Sequence, residues 1–462
     1  MFESDEGLLN AMRDAQRDER ASAASKVIAA GRFFLRRRAA LGGTHDNWCV
    51  DDWDVIAAEV AAELGVSRGR ASSWMDYGQV LVERLPLLAE VFAAGCIDFR
   101  VIRIAAFRTA LLTDEQAIAA IDEMLAHTTP GWNTFSDKRV AQLVDWMVLD
   151  LDPDALRVAK QRDDDRHIEV TADHSGTAEI WGRVRVTDGA AFDMKLDELA
   201  ATVCRDDPRT KRQRRADALT ALVGGDAAMR CVCESEQCPA AGNGSHSSAV
   251  VVHVLAETAT VEGRGTRAGF VPGYGPLPPE TVREVAKAAR QKAVHVPKDA
   301  SAEPQYRPSA ALAQFVRSRD LTCRWMGCDK PAWQTDIDHT APYPLGPTHP
   351  SNNSCFCRFH HLLKTFHCGL GGWQVSQRPD GTMVFTTPSG RVHTTEPLGA
   401  MLFPQLAVPT GNLEPADEPL PGPDRGVAMP KRKRTRVQDR ADRIAWERGV
   451  NRARYAANPP PF

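Results

Sequence analysis

Apolar positions in the first third of the chain recur every three or four residues, the repeat of helices with one buried face. Val55, Ile56, Val60 and Leu64 form one such stripe, and further stripes run over 81–92 and 99–111. No strand-like alternation interrupts them before about Leu151, so this part is predicted to be all helical. Helix starts are marked by short polar side chains that can accept from unpaired backbone N–H groups, at Ser67, at Thr113-Asp114 and at Ser136. Residues 60–71 read as a helix, a turn at Gly65, and a second helix capped by Ser67. This helix–turn–helix outline, spanning about 55–80, admits two uses. Its second helix could enter a major groove, with Arg68 and Arg70 on phosphates or base edges, or the pair could be a plain hairpin in a bundle.

The pattern changes after Asp152-Pro153, where 166–171 and 178–184 alternate like two strands about a turn at 173–176. Residues 249–254 make a third strand candidate, and helical periodicity returns over 188–203 and 212–223. A Gly- and Pro-rich loop, 263–279, leads into a helix ending near Lys292. The expected organisation is a mainly α N-terminal domain over 1–300 with a small β insertion at about 165–255. A C-terminal α+β domain over 301–400 follows, and 401–462 are expected to be a Pro-rich linker and a poorly ordered basic tail.

At 462 residues the chain exceeds what one hydrophobic core usually organises. Its 43% apolar and 25% charged residues exclude a fibrous or wholly disordered class. No run of eighteen apolar residues occurs, and the first residues are acidic where a secretory leader is basic, so a cytoplasmic protein is expected. The formal charge of −3 hides a basic C-terminal stretch that opens with Lys431, Arg432, Lys433 and Arg434. Such a stretch suits a polyanion, and equally a solvated tail.

The 11 cysteines fall mostly into two groups, which in a reducing compartment points to metal ligation. Cys231, Cys233 and Cys238, with His246 downstream, admit a second zinc site or unpaired thiols in a loop. Cys323 and Cys328, with four residues between them, and the Cys357-x-x-His360 pair suit a closed four-ligand structural zinc. Asp338, His339, Asn352 and His361 remain. Phosphodiester hydrolysis needs an activated water, neutralisation of phosphoryl charge and help for the departing oxygen, and this set suits those tasks. Residues 336–338 read as a strand end, so a loop or bulge is expected to let Asp338 and His339 address one centre. On a helix over 358–365, His361 lies about 100° from His360, so the two can face different metals.

The stretch from Arg319-Asp320 to Lys364-Thr365, with Asp338-His339, Asn352 and Cys357-x-x-His360-His361, resembles an HNH endonuclease of the ββα-metal type. The resemblance implies two strands and a helix around one Mg2+ or Mn2+ ion, held by Asp338 and His361. His339 would then be the general base and Asn352 the residue orienting its loop. Lys364 and the basic tail would contact DNA, with RNA an alternative substrate. A non-catalytic, zinc-stapled DNA-binding protein is the competing class. Phrases further upstream, Leu64-Gly65-Val66-Ser67, Leu85-Pro86, Cys231-x-Cys233 and 273–278, resemble the actinobacterial repeat-element proteins. In these a helical domain of unknown function precedes an HNH domain, and mobile-element, defence and housekeeping roles all fit.

Overall fold

The computed structural model describes residues 4–157, 166–173, 177–241, 243, 251–298, 300–369, 371–413 and 428–457. They form two compact units, one built from Met1–Val158 and Ala293–Phe462, the other from Ala159–Lys292. The division differs from the expected boundary near residue 300, because the N-terminal helices share a core with the C-terminal segment.

The larger unit opens with seven helices: α1 (Asp5–Leu41), α2 (Asp52–Leu64), α3 (Arg68–Glu83), α4 (Pro86–Ala93), α5 (Phe99–Arg108), α6 (Glu115–Thr128) and α7 (Asp137–Leu151). Side chains of Asp51, Ser67 and Ser136 cap α2, α3 and α7, each accepting from a backbone N–H in the first turn. Asp114, not Thr113, caps α6. Helices α1 and α3 meet at glycines: a Cβ on Gly31 would lie 2.1 Å from the Gly78 carbonyl carbon. Any side chain there would force the helices apart.

In the smaller unit, β1 (His167–Ala172) and β2 (Ala178–Arg183) form an antiparallel ribbon; 174–176 of the expected turn lie outside the described residues. Helices α8 (Val186–Ala200) and α9 (Lys211–Gly224) follow. They bury Leu196, Leu199, Ala218 and Ala221 with Met229. Beyond them lie α10 (Thr258–Val261), the short pair β3 (Gly269–Val271) and β4 (Gly275–Leu277), and α11 (Pro279–Ala288). The third strand candidate is corrected. Ala249 and Val250 lie outside the described residues, residues 251–254 adopt no strand, and only Leu255 makes a bridge, to Phe270.

The chain re-enters the larger unit with α12 (Ala310–Asp320), the antiparallel pair β5 (Asp336–His339) and β6 (Asn353–Phe356), and α13 (Arg358–Phe366). A three-stranded sheet, β7 (Gln374–Gln377), β8 (Met383–Thr386) and β9 (Val392–Thr395), packs beside them, followed by α14 (Leu398–Leu402). Val50, Val55, Ala58 and Ala62 share one buried cluster with Trp325, Phe356, Leu363 and Trp373. This shared apolar surface joins the two ends of the chain.

The basic tail departs from the expected disorder, since Arg436–Ala457 form a helix, α15. Arg432 and Arg436 pair with the buried carboxylates of Asp51 and Asp54, Arg448 with Asp152 and Arg452 with Asp154. Buried Asn451 donates to the Asp154 and Leu156 carbonyls. Buried carboxylates at the start of α2 demand counter-charges, and the tail supplies them.

Candidate functional site

Two side-chain clusters that could hold a metal ion, and a polar group on β5, β6 and α13, make up the candidate sites. Cys323, Cys328, Cys357 and His360 bring one ligand atom each to within 4.8 Å of the others. His360 Nδ1 lies 3.4 Å from Cys323 Sγ and 3.2 Å from Cys357 Sγ. Its ring stacks on Trp325 at 5.1 Å, which sets its plane. Cys323 and Cys328 hydrogen-bond to Cys357 and hold its thiol far below the ordinary range, as a ligating thiolate requires. Cys355, fully buried nearby, has its thiol pushed up by burial and takes no part. Three thiols and one imidazole could bind a metal such as zinc. The second cluster comprises Cys231, Cys233 and Cys238, joined by Cys204. His246, the downstream histidine considered for this group, lies outside the described residues.

His361, next to His360 on α13, turns the other way. Its Nδ1 pairs with Asp336 Oδ2 at 2.9 Å, while its Nε2 lies 3.4 Å from Asp338 Oδ1. A carboxylate that accepts the hydrogen bond from Nδ1–H leaves the lone pair on Nε2, on the side of Asp338. Asp336 was not among the residues expected here, though two-residue spacing on a strand puts it on the face of Asp338.

His339 is buried on β5, stacked against Tyr306 at 5.2 Å. Its Nε2 is 2.8 Å from Thr348 Oγ1, and that hydroxyl is 2.6 Å from the Gln305 carbonyl and 3.2 Å from that of Tyr306. Carbonyls only accept, so the hydroxyl donates to one of them and accepts from His339 Nε2–H. The ring lone pair is thereby placed on Nδ1. Burial lowers the His339 pKa, with Asp338 opposing and Lys364 reinforcing the shift, so the ring is neutral at pH 7. Of the loop or bulge expected here, no bulge occurs: β5 and β6 stay in register from Asp336↔Phe356 to His339↔Asn353, and the strand ends at His339.

Asn352 ties the loop after His339 into one conformation. Its carbonyl accepts from Ala341 N, and its amide donates to the Ala341 and Pro347 carbonyls. Asn353 instead accepts from His349 N. His349 is buried, with Nε2 2.9 Å from the Ala300 carbonyl oxygen. Arg319 and Asp320 of α12 hold β6 from behind: Asp320 accepts from Cys355 N, and Arg319 donates to the Pro350 and Asn353 carbonyls.

Several residues expected to contact nucleic acid make contacts within the fold. Lys364 is buried, donates to the His339 carbonyl at 2.7 Å and pairs with Asp338 at 2.9 Å. Arg68 pairs with Asp54 and lies over Phe359, and Arg432 closes on Asp51, Asp54 and the Cys49 carbonyl. Each is bound to a partner distant in sequence, which local spacing does not reveal. Arg70 is exposed beside Trp74, Lys431 and Lys433 are exposed, and Arg434 pairs with Asp442 on the surface.

Residues 14–320 match a family model described as "Domain of unknown function (DUF222)". The chain belongs to the DUF222 family. This DUF222 chain is 40% identical to the uncharacterized protein Rv3776 of Mycobacterium tuberculosis (strain ATCC 25618 / H37Rv), across 99% of its own length and 92% of the relative. It is also 40% identical to the uncharacterized protein Rv2100 of the same strain, across 99% of its length and 90% of that relative. No solved structure matches it. No described helix is long and apolar enough to cross a membrane. The DUF222 match stops at Asp320, the last residue of α12, before β5, β6 and α13.

Proposed function

We propose that the chain is a metal-dependent endonuclease of the HNH, ββα-metal type that hydrolyses DNA phosphodiester bonds, leaving 5′-phosphate and 3′-hydroxyl ends. The observation that carries this reading is a neutral, buried histidine with its lone pair fixed on Nδ1, on the strand that also bears the Asp338–His361 pair. His339 Nδ1 takes a proton from the attacking water, while Nε2 keeps its own proton, donated to Thr348 Oγ1, throughout. The 3.4 Å between Asp338 Oδ1 and His361 Nε2 fits two ligands of one ion, which sit roughly 3 Å apart on bonds of about 2.1 Å. Mg2+ or Mn2+ bound there would neutralise charge on the scissile phosphate and the departing oxygen. Lys364 holds the second Asp338 oxygen, and Asp336 orients His361. Zinc at Cys323, Cys328, Cys357 and His360 would hold β6 and α13 together. Such a site has no open position for substrate.

The test is incubation of the purified chain with supercoiled plasmid and Mg2+ or Mn2+, beside His339→Ala and a parallel RNA of similar length. Nicking by the wild type that falls at least about 100-fold in His339→Ala supports the reading. Cleavage that persists in the variant overturns the mechanism. Cleavage of RNA alone overturns the substrate.

A further inference from the structure

We propose that Cys204, Cys231, Cys233 and Cys238 hold one structural zinc ion that ties the turn after α8 to the segment after α9. Cys204 Sγ lies 3.4 Å from Cys231 Sγ and 3.4 Å from Cys233 Sγ, and all four sulfurs lie within 4.8 Å of one another. A zinc ion with four sulfurs at about 2.3 Å spaces them by roughly 3.8 Å, close to this arrangement. Disulfide pairing does not account for it. A disulfide draws two sulfurs to about 2.05 Å, whereas Cys204 is equally near two partners.

The scaffold around the sulfurs is built from contacts that do not need them. Buried Asp207, three residues beyond Cys204, accepts from Val232 N at 3.2 Å and pairs with Arg209. Arg209 in turn donates to the Arg230 carbonyl, just before Cys231. Cys231 N donates to the Ala240 carbonyl, and Cys238 N to that of Ser235, folding the segment after Cys238 back on Cys231. The two loops are thus pinned together on either side of the thiols, so the ligands are arranged before a metal arrives.

The energetic reason lies in the small core. The cluster between α8 and α9 buries five apolar residues, while Ile168, Val170, Ile180 and Trp181 on β1 and β2 stay exposed. A core this small gains from a metal staple. Four thiolates favour zinc over Mg2+ or Ca2+, and a filled tetrahedron excludes a catalytic role.

Metal content by elemental analysis of the full chain, purified without chelators, tests this independently of nuclease activity. Two zinc ions per wild-type chain, falling to one in Cys231→Ser/Cys233→Ser, are expected; Cys323→Ser/Cys357→Ser should also hold one. One zinc in the wild type, unchanged by Cys231→Ser/Cys233→Ser, overturns the site. Should the variants fold poorly, Co2+ substitution of the wild type gives the second readout. Two equivalents, one with the absorption of an all-thiolate tetrahedral centre, support the site. A single equivalent, or a Cys204 disulfide in the non-reduced protein by mass spectrometry, overturns it.

Discussion

His339 Nε2 and Thr348 Oγ1 lie 2.8 Å apart, and the carbonyls of Gln305 and Tyr306 oblige the threonine hydroxyl to accept rather than donate in that pair. Thr348→Val keeps the shape and removes the acceptor. Plasmid nicking by this variant should fall about 10- to 100-fold, as when an outer partner of a functional histidine is lost, while Thr348→Ser retains activity. Unchanged nicking by Thr348→Val would remove the tautomer argument.

Burial lowers the His339 pKa, and Lys364 adds to the effect. The acid limb of the kcat/KM profile should therefore lie below 6.5, because the base is lost only when pH falls through its depressed pKa. Lys364→Met removes the positive neighbour and should move the limb upward. A limb above 6.5 in the wild type, or a downward move in the variant, contradicts the assignment.

Asn352 makes three hydrogen bonds across the loop from Ala341 to Pro347. Asn352→Ala leaves those backbone groups unpaired and should cost roughly 1–3 kcal/mol in urea unfolding. Nicking should fall more than in Asn353→Ala, which removes a side-chain carbonyl that accepts from His349 N. Equal effects of the two changes would deny Asn352 its role in orienting the loop.

Burial holds His367 down to about 4, with its ring 2.9 Å from the Val50 carbonyl. The unfolded chain binds this proton near 6.5 and the folded chain only near 4, so the unfolded state holds more protons between these values. Stability is complete above 6.5 and falls as pH drops toward 4, by an amount on the order of 3 kcal/mol at most. Replacing His367 with Gln should flatten that part of the stability curve, measured by urea unfolding at stepped pH. An equally steep curve in the variant would assign the loss to other groups.

Periodicity alone determined the helical N-terminal region, because burying one face of a helix imprints a repeat of three to four residues that needs no knowledge of partners. The cluster of Cys323, Cys328, Cys357 and His360 was legible for a similar reason: both ligand pairs sit on short local spacings, and the pairs are close in sequence. The turn of His360 and His361 to different faces, about 100° apart, follows from helical geometry. Tertiary structure alone decided which distant residue completes each group. Cys204 joins the second cysteine cluster from the turn after α8, and Thr348 and Asp336 fix the two histidine rings. Lys364, Arg68 and Arg432, expected at nucleic acid, likewise form ion pairs, Lys364 with Asp338 and the two arginines with the buried carboxylates of Asp54 and Asp51. A charged side chain looks the same in sequence whether it faces solvent or a carboxylate. Its fate is set by desolvation, and the packing of helix α2 against both ends of the chain decides where that desolvation falls.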